Sequence, residues 1–225
     1  SVSNSSSYTF YNILKTNFTA GSLNKITYEL NLTNITSTTI KYLQDIGWQD
    51  GKIGKALSFD GIDDYIRINA PVVDIYKNFT VMAWLKAVGR CSNSNGYFEI
   101  FTQNGRIRLA LFHYGWQDMD SEATTPNGFD RFLWANLPYA LSPGQFYHLT
   151  VIFDLTNNKT KLYINGKVAI NGTINRTKWD SLGGSNYIQI ATGYYCCNWN
   201  GVIDEAYIYN RALTEEEIQF LYQEG

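Results

Sequence analysis

An all-β sandwich closed by one short C-terminal helix is the fold this sequence predicts. Three observations lead there. Short runs alternating apolar and polar residues recur along the chain, two such runs flank an Asn-Gly dipeptide, and a capped helical pattern occurs once, near residue 214. In residues 25–33, Ile26, Tyr28, Leu30 and Leu32 share one face. Residues 79–85 form a strand apolar on both faces, with Val81 and Leu85 on one and Met82 and Trp84 on the other. Residues 147–153 place Tyr147, Leu149, Val151 and Phe153 together. Runs 161–164 and 167–170 flank Asn165-Gly166, and both positions of such a turn need the positive φ that Asn and Gly adopt most readily. Residues 187–190 and 202–209 add two strands. Thr214 starts the helix: Glu217 completes a capping box, the acidic run 215–217 suits the positive end of the dipole, and Ile218, Leu221 and Tyr222 make the apolar stripe. Residues 91–145 read as less regular, punctuated by Gly, Asn and Pro.

The 225 residues suffice for one large β domain, and hydrophobic residues at 44% with aromatics at 16% can fill its core. Charged residues are only 17% and the net charge is −2 without a basic stripe, which argues against a nucleic-acid partner. No run approaches the length of a membrane-spanning helix.

Eight Asn-x-Ser/Thr sequons stand at Asn4, Asn17, Asn31, Asn34, Asn78, Asn158, Asn171 and Asn175. Chance would give roughly three at this composition. A used site must face water because the glycan is bulky and solvated. The excess predicts a glycosylated protein of the cell surface or extracellular space. The chain begins at Ser1 rather than Met, which fits removal of a signal peptide. In that compartment the three cysteines are expected to form a disulfide. Adjacent Cys196 and Cys197 would pair only through a strained ring, so Cys91 is expected to pair with Cys196 or Cys197. Two histidines, His113 and His148, without a spaced Cys pair do not make a zinc site.

Residues 51–66, GKIGKALSFDGIDDYI, closely resemble the signature G-x-x-G-x-A-L-x-F-D-G-x-D-D-Y-V of LamG-like, concanavalin A-like jelly-roll domains. Three later blocks follow in that family's order: FTVMAWLK at 79–86, YHLTVIFD at 147–154 with LYING at 162–166, and GVIDEAYIYNRAL at 201–213. The resemblance implies a concanavalin A-like jelly-roll β-sandwich over residues 47–225, and its spelling resembles prokaryotic members, which leans towards an archaeal surface protein. The family's usual first strand is missing. Residues 1–46 form a separate N-terminal segment, either divergent first strands or a strand donated to a neighbouring subunit through residues 8–14.

Asp60, Asp63 and Asp64 crowd one turn, with Gly61 permitting a tight bend. Such carboxylates repel unless a cation or hydrogen-bond donors offset them, and calcium takes oxygen ligands. Asp204 shares strand parity with Val202, Ala206 and Ile208, which are expected to face inward, so its charge must be paired. The resemblance implies Asp60 and Asp204 as ligands of a structural calcium. The alternative is that Asp60 and Asp63 cap turn amides while Asp204 pairs with Arg211 or with backbone N–H groups.

No catalytic group is expected. A retaining glycosidase on this fold needs two carboxylates about 5 Å apart, often spelled E-x-D-x-E on one strand, and no such run is present. Asp118, Asp120 and Glu122 fall in a stretch read as a solvated loop, and His148 is expected to pack rather than react. Two roles remain. One is a structural or adhesive protein, expected as a filament subunit self-assembling through residues 8–14. The other is a lectin-like module binding a glycan, for which Trp116, Trp134, Trp179 and Trp199 at loops and strand ends offer stacking surfaces.

Overall fold

Two antiparallel sheets stack face to face in the computed structural model, which describes residues 47–68, 76–88, 97–103, 107–112, 118–125, 128–136, 141–179, 188–192 and 198–225. The strands are β1 (Gly47–Asp50), β2 (Lys55–Asp60), β3 (Ile66–Ile68), β4 (Phe79–Ala87), β5 (Tyr97–Gln103), β6 (Ile107–Phe112) and β7 (Asp118–Thr125). They continue with β8 (Gly128–Asn136), β9 (Tyr147–Asp154), β10 (Lys159–Ile164), β11 (Lys167–Thr173), β12 (Ile188–Ile190) and β13 (Asn200–Tyr209). A four-residue helix α1 (Arg176–Trp179) follows β11, and α2 (Glu215–Gln223) comes last. The larger sheet runs β1-β2-β13-β4-β9-β10-β11 and the smaller β3-β12-β5-β6-β7-β8. The jelly-roll sandwich expected from the sequence is the fold.

Strand alternation builds the core. Val81, Ala83 and Leu85 of β4 and Leu149, Val151 and Phe153 of β9 face the second sheet, where Ile190 of β12 joins them. The opposite side of the same strands is also buried, under α2: Met82, Ile152, Tyr163 and Tyr209 pack against Leu213 and Ile218. That second layer explains why residues 79–85 are apolar on both faces. Thr214 accepts from the Glu217 N–H while the Glu217 carboxylate accepts from the Thr214 N–H, the capping box read from the sequence. Arg211 grips both Glu217 oxygens at 2.7 Å, and this ion pair holds the Glu217 carboxyl below its ordinary range. Asn165 and Gly166 have φ of 50° and 74°, as the hairpin between β10 and β11 requires.

Two expectations are corrected. Residues 91–145 contain four strands, β5 to β8, and residues 118–122 lie on β7, hydrogen-bonded between β6 and β8, rather than in a loop. Asp and, to a lesser degree, Glu disfavour strands, and pairing on both sides overrides that local preference. In β13 the pairing with β4 slips between Asp204 and Tyr207, where Glu205 has φ of 46°. This bulge reverses the alternation. Ile203 and Ile208 both reach the inter-sheet core, and Asp204 lies on the other face, opposite Trp84. The expected strand at 25–33, the donor strand 8–14, sequons Asn4, Asn17, Asn31 and Asn34, and Cys91, Cys196 and Cys197 lie outside the described residues.

Candidate functional site

Where β2 ends and β13 begins, Asp60 pairs with Asn200 across the sheet. The chain then turns through residues 60–64. The Asp60 carboxylate accepts from the Ile62 N–H at 2.7 Å, and the Asp64 carboxylate accepts from the Asp60 N–H at 3.0 Å. Gly61 has φ of 81°, and a Cβ there would lie 2.7 Å from that of Asn200, so only glycine fits. From the other strand end, the Asn198 amide donates to the Ile62 carbonyl at 2.8 Å while its oxygen accepts from the Thr192 hydroxyl. Val88 N–H donates to the Asn200 carbonyl at 3.0 Å. The turn is thus braced by residues far away in sequence.

What the braces present is an acidic rim. Asp60, Asp63 and Asp64 each offer a carboxylate oxygen, all within 4.8 Å of one another. Asp64 is buried, while Asp60 and Asp63 are exposed. Ile62 at the tip is 71% exposed, and Val88, across β13 from Asp60, is 58% exposed. The donor set suits a hard, oxygen-seeking cation such as calcium, with water completing the shell. The two amides that Asp60 and Asp64 accept from offset part of the mutual repulsion.

Asp204 stands apart from this cluster. It is four residues along β13 from Asn200, the partner of Asp60, or about 13 Å at strand spacing. Its oxygens accept from the Ile53 and Glu205 N–H groups, each at 2.9 Å. A Cβ at Gly51 would collide with it. The backbone-pairing alternative therefore describes Asp204, and Arg211 is held by Glu217 instead.

His148 is wholly buried, between Trp84 (ring centroids 5.1 Å) and Tyr222 (6.0 Å). Neither ring nitrogen has a hydrogen-bond partner, and burial pushes its pKa from 6.5 down to about 4. It packs, as expected. Of the tryptophans expected to offer stacking surfaces, Trp199 is 1% exposed and belongs to the core, while Trp134 lies on β8, Trp179 in α1, and Trp116 lies outside the described residues. Sequence reasoning missed Trp48 on β1, which is 45% exposed, and also Ile62, Val88 and Asn198. The last three become a site only through the pairing of β13 with β2 and β4, which no local pattern reports.

A seven-stranded and a six-stranded antiparallel sheet packed face to face make a jelly-roll β-sandwich. The chain belongs to the concanavalin A-like lectin/glucanases superfamily, whose Laminin_G_3 model matches residues 60–219. No curated protein matches it. Among solved structures, it is similar to domain 4 of AbnA, a GH43 extracellular arabinanase from Geobacillus stearothermophilus, in complex with arabinotriose. That likeness has 24% identity and a TM-score of 0.58, and covers 80% of this chain and 82% of that one. It is also similar to the binding domain of botulinum neurotoxin serotype G, with 15% identity, a TM-score of 0.62 and coverage of 82% and 46%. The binding domain of botulinum neurotoxin DC in complex with SialylT matches at 14% identity and a TM-score of 0.59, over 80% of this chain and 45% of that one. This chain spans less than half of those toxin domains. The likenesses show the fold.

Proposed function

We propose that this protein is a secreted, N-glycosylated, non-catalytic cell-surface domain that adheres by binding a carbohydrate. One observation carries the reading: the turn sets the exposed carboxylates of Asp60 and Asp63 beside the exposed aliphatic side chain of Ile62, with the exposed Val88 on the far side of β13. Carboxylates accept from sugar hydroxyls, and aliphatic groups cover the C–H face of a sugar ring. The arabinotriose and SialylT complexes of two fold neighbours support the choice of ligand class. In the same reading, Asp60, Asp63 and Asp64 hold a structural calcium ion without Asp204. Glycan-array and calorimetric binding by the monomer test the proposal, and the double variant Ile62→Ala, Asp63→Asn is expected to lose the affinity. A folded monomer that binds no glycan, with or without calcium, overturns it. Calcium is expected to raise the melting temperature over that in chelator, and Asp63→Asn should remove the difference.

A second reading is favoured by β1. This four-residue edge strand pairs with β2 alone among the described residues. Residues 8–14 of a second copy, added along that edge, would join subunits by main-chain hydrogen bonds into a filament. Electron microscopy should then show filaments, and deletion of residues 1–20 should leave monomers.

A further inference from the structure

We propose that Asn158, Asn171 and Asn175 carry N-linked glycans that fence the β11 edge of the larger sheet against strand addition. The inference rests on the glycoprotein reading above and assigns that coat a place and a task. β11 is the other end of the seven-stranded sheet and pairs with β10 alone among the described residues. It comes close to β8 of the second sheet without pairing to it. An unpaired edge is a template for another chain, and proteins commonly blunt it with charge or proline. β11 reads KVAINGT: one lysine, no proline, and a half-exposed Val168. The strand's own guards are that lysine and a bulge at Ala169, where the pairing with β10 slips.

The sequons fill the gap. Asn171 is exposed on the strand itself. Asn175 is exposed just past its end, and Asn158 is exposed in the turn before β10 with φ of 55°. The Asn158 carbonyl accepts from the Ile174 N–H at 2.9 Å, which places Asn158 next to Asn175. Asn171 precedes Ile174 by three residues, about 10 Å along a strand. Three acceptors thus crowd the last turn of a single edge, and bulky sugars there would occupy the space an incoming strand needs.

Asn78 is built differently. Its amide nitrogen donates to Asp154 and its oxygen accepts from both the backbone and the hydroxyl of Thr156. The sequon's Thr80 is buried and bonded to Arg211 and Leu213. That asparagine ties β4 to the turn after β9. The sequon threonines Thr173 and Thr177 are exposed, as are Asn171 and Asn175 themselves. Thr160 is buried, so Asn158 must receive its sugar before β9 and β10 close.

Site-by-site mass spectrometry of the secreted full chain, after enzymatic deglycosylation in heavy-oxygen water, is expected to show sugar at Asn158, Asn171 and Asn175. The triple variant Asn158→Gln, Asn171→Gln, Asn175→Gln should self-associate at roughly tenfold lower concentration than the parent in light scattering. Thr173→Ala with Thr177→Ala, which removes two acceptors without touching an asparagine, should move the same way. Sugar at other sequons but none at Asn171 and Asn175 overturns this inference alone, whereas sugar at no sequon overturns the glycoprotein reading itself. Full occupancy with unchanged association in both variants overturns the fence.

Discussion

His148 shows how a single buried side chain sets a pH limit. Trp84 faces it from β4 and Tyr222 from α2; the Lys52 ammonium lies 5.0 Å from the Trp84 ring, and the Asp204 carboxylate nearby is turned to backbone amides. Burial lowers the His148 pKa from 6.5 to about 4. A depressed histidine adds stability that is fully present above pH 6.5 and drains away as pH falls towards 4, because the unfolded chain takes up the proton first. The shift corresponds to about 3 kcal/mol. Thermal melts between pH 7 and pH 4 should therefore show a steep loss of stability in the parent and a shallower one in His148→Phe; identical slopes would remove His148 from the account. Thr160 poses the opposite case. Its hydroxyl is buried in β10 without a hydrogen-bond partner. Thr160→Val keeps the shape, suits a strand and removes the unpaired group, so unglycosylated protein should gain about 1 kcal/mol, or roughly 2–4 °C in melting temperature.

Elements whose signals are local were legible in the sequence. The Asn165-Gly166 hairpin follows from turn chemistry in two residues, and α2 follows from Thr214 and Glu217 three apart. Thr214→Ala should remove the cap and lower stability by about 1 kcal/mol in chemical denaturation. The loss should also expose the layer beneath α2, read as increased binding of a hydrophobic dye. The acidic turn was legible because its three carboxylates are neighbours in sequence. Asp204 was misplaced for a physical reason: strand parity is a reliable guide only without a bulge, and nothing in Asp204-Glu205-Ala206 announces positive φ at Glu205. β7 was missed because its residues resist strand formation until β6 and β8 supply their hydrogen bonds.

At the scale of the whole molecule, the relocation of residues 118–122 bears on whether this sandwich has hydrolytic machinery. Asp118, Asp120 and Glu122 occupy alternate positions of a strand inside the smaller sheet. Neighbouring members of the set are about 6.6–6.8 Å apart along the strand and the outer pair, Asp118 and Glu122, about 13 Å. The run differs from the E-x-D-x-E arrangement at its first position, where Asp118 is shorter than glutamate by one carbon–carbon bond, about 1.5 Å. A displacement of about 1 Å is enough to lower a rate roughly a hundredfold, since attack depends on a near-contact geometry. Under the non-catalytic reading proposed above, the protein is expected to release no reducing ends from arabinan, glucan or galactan over prolonged incubation. Asp118→Asn with Glu122→Gln should leave carbohydrate affinity unchanged. Reducing ends released by the parent and abolished in that double variant would overturn the non-catalytic reading.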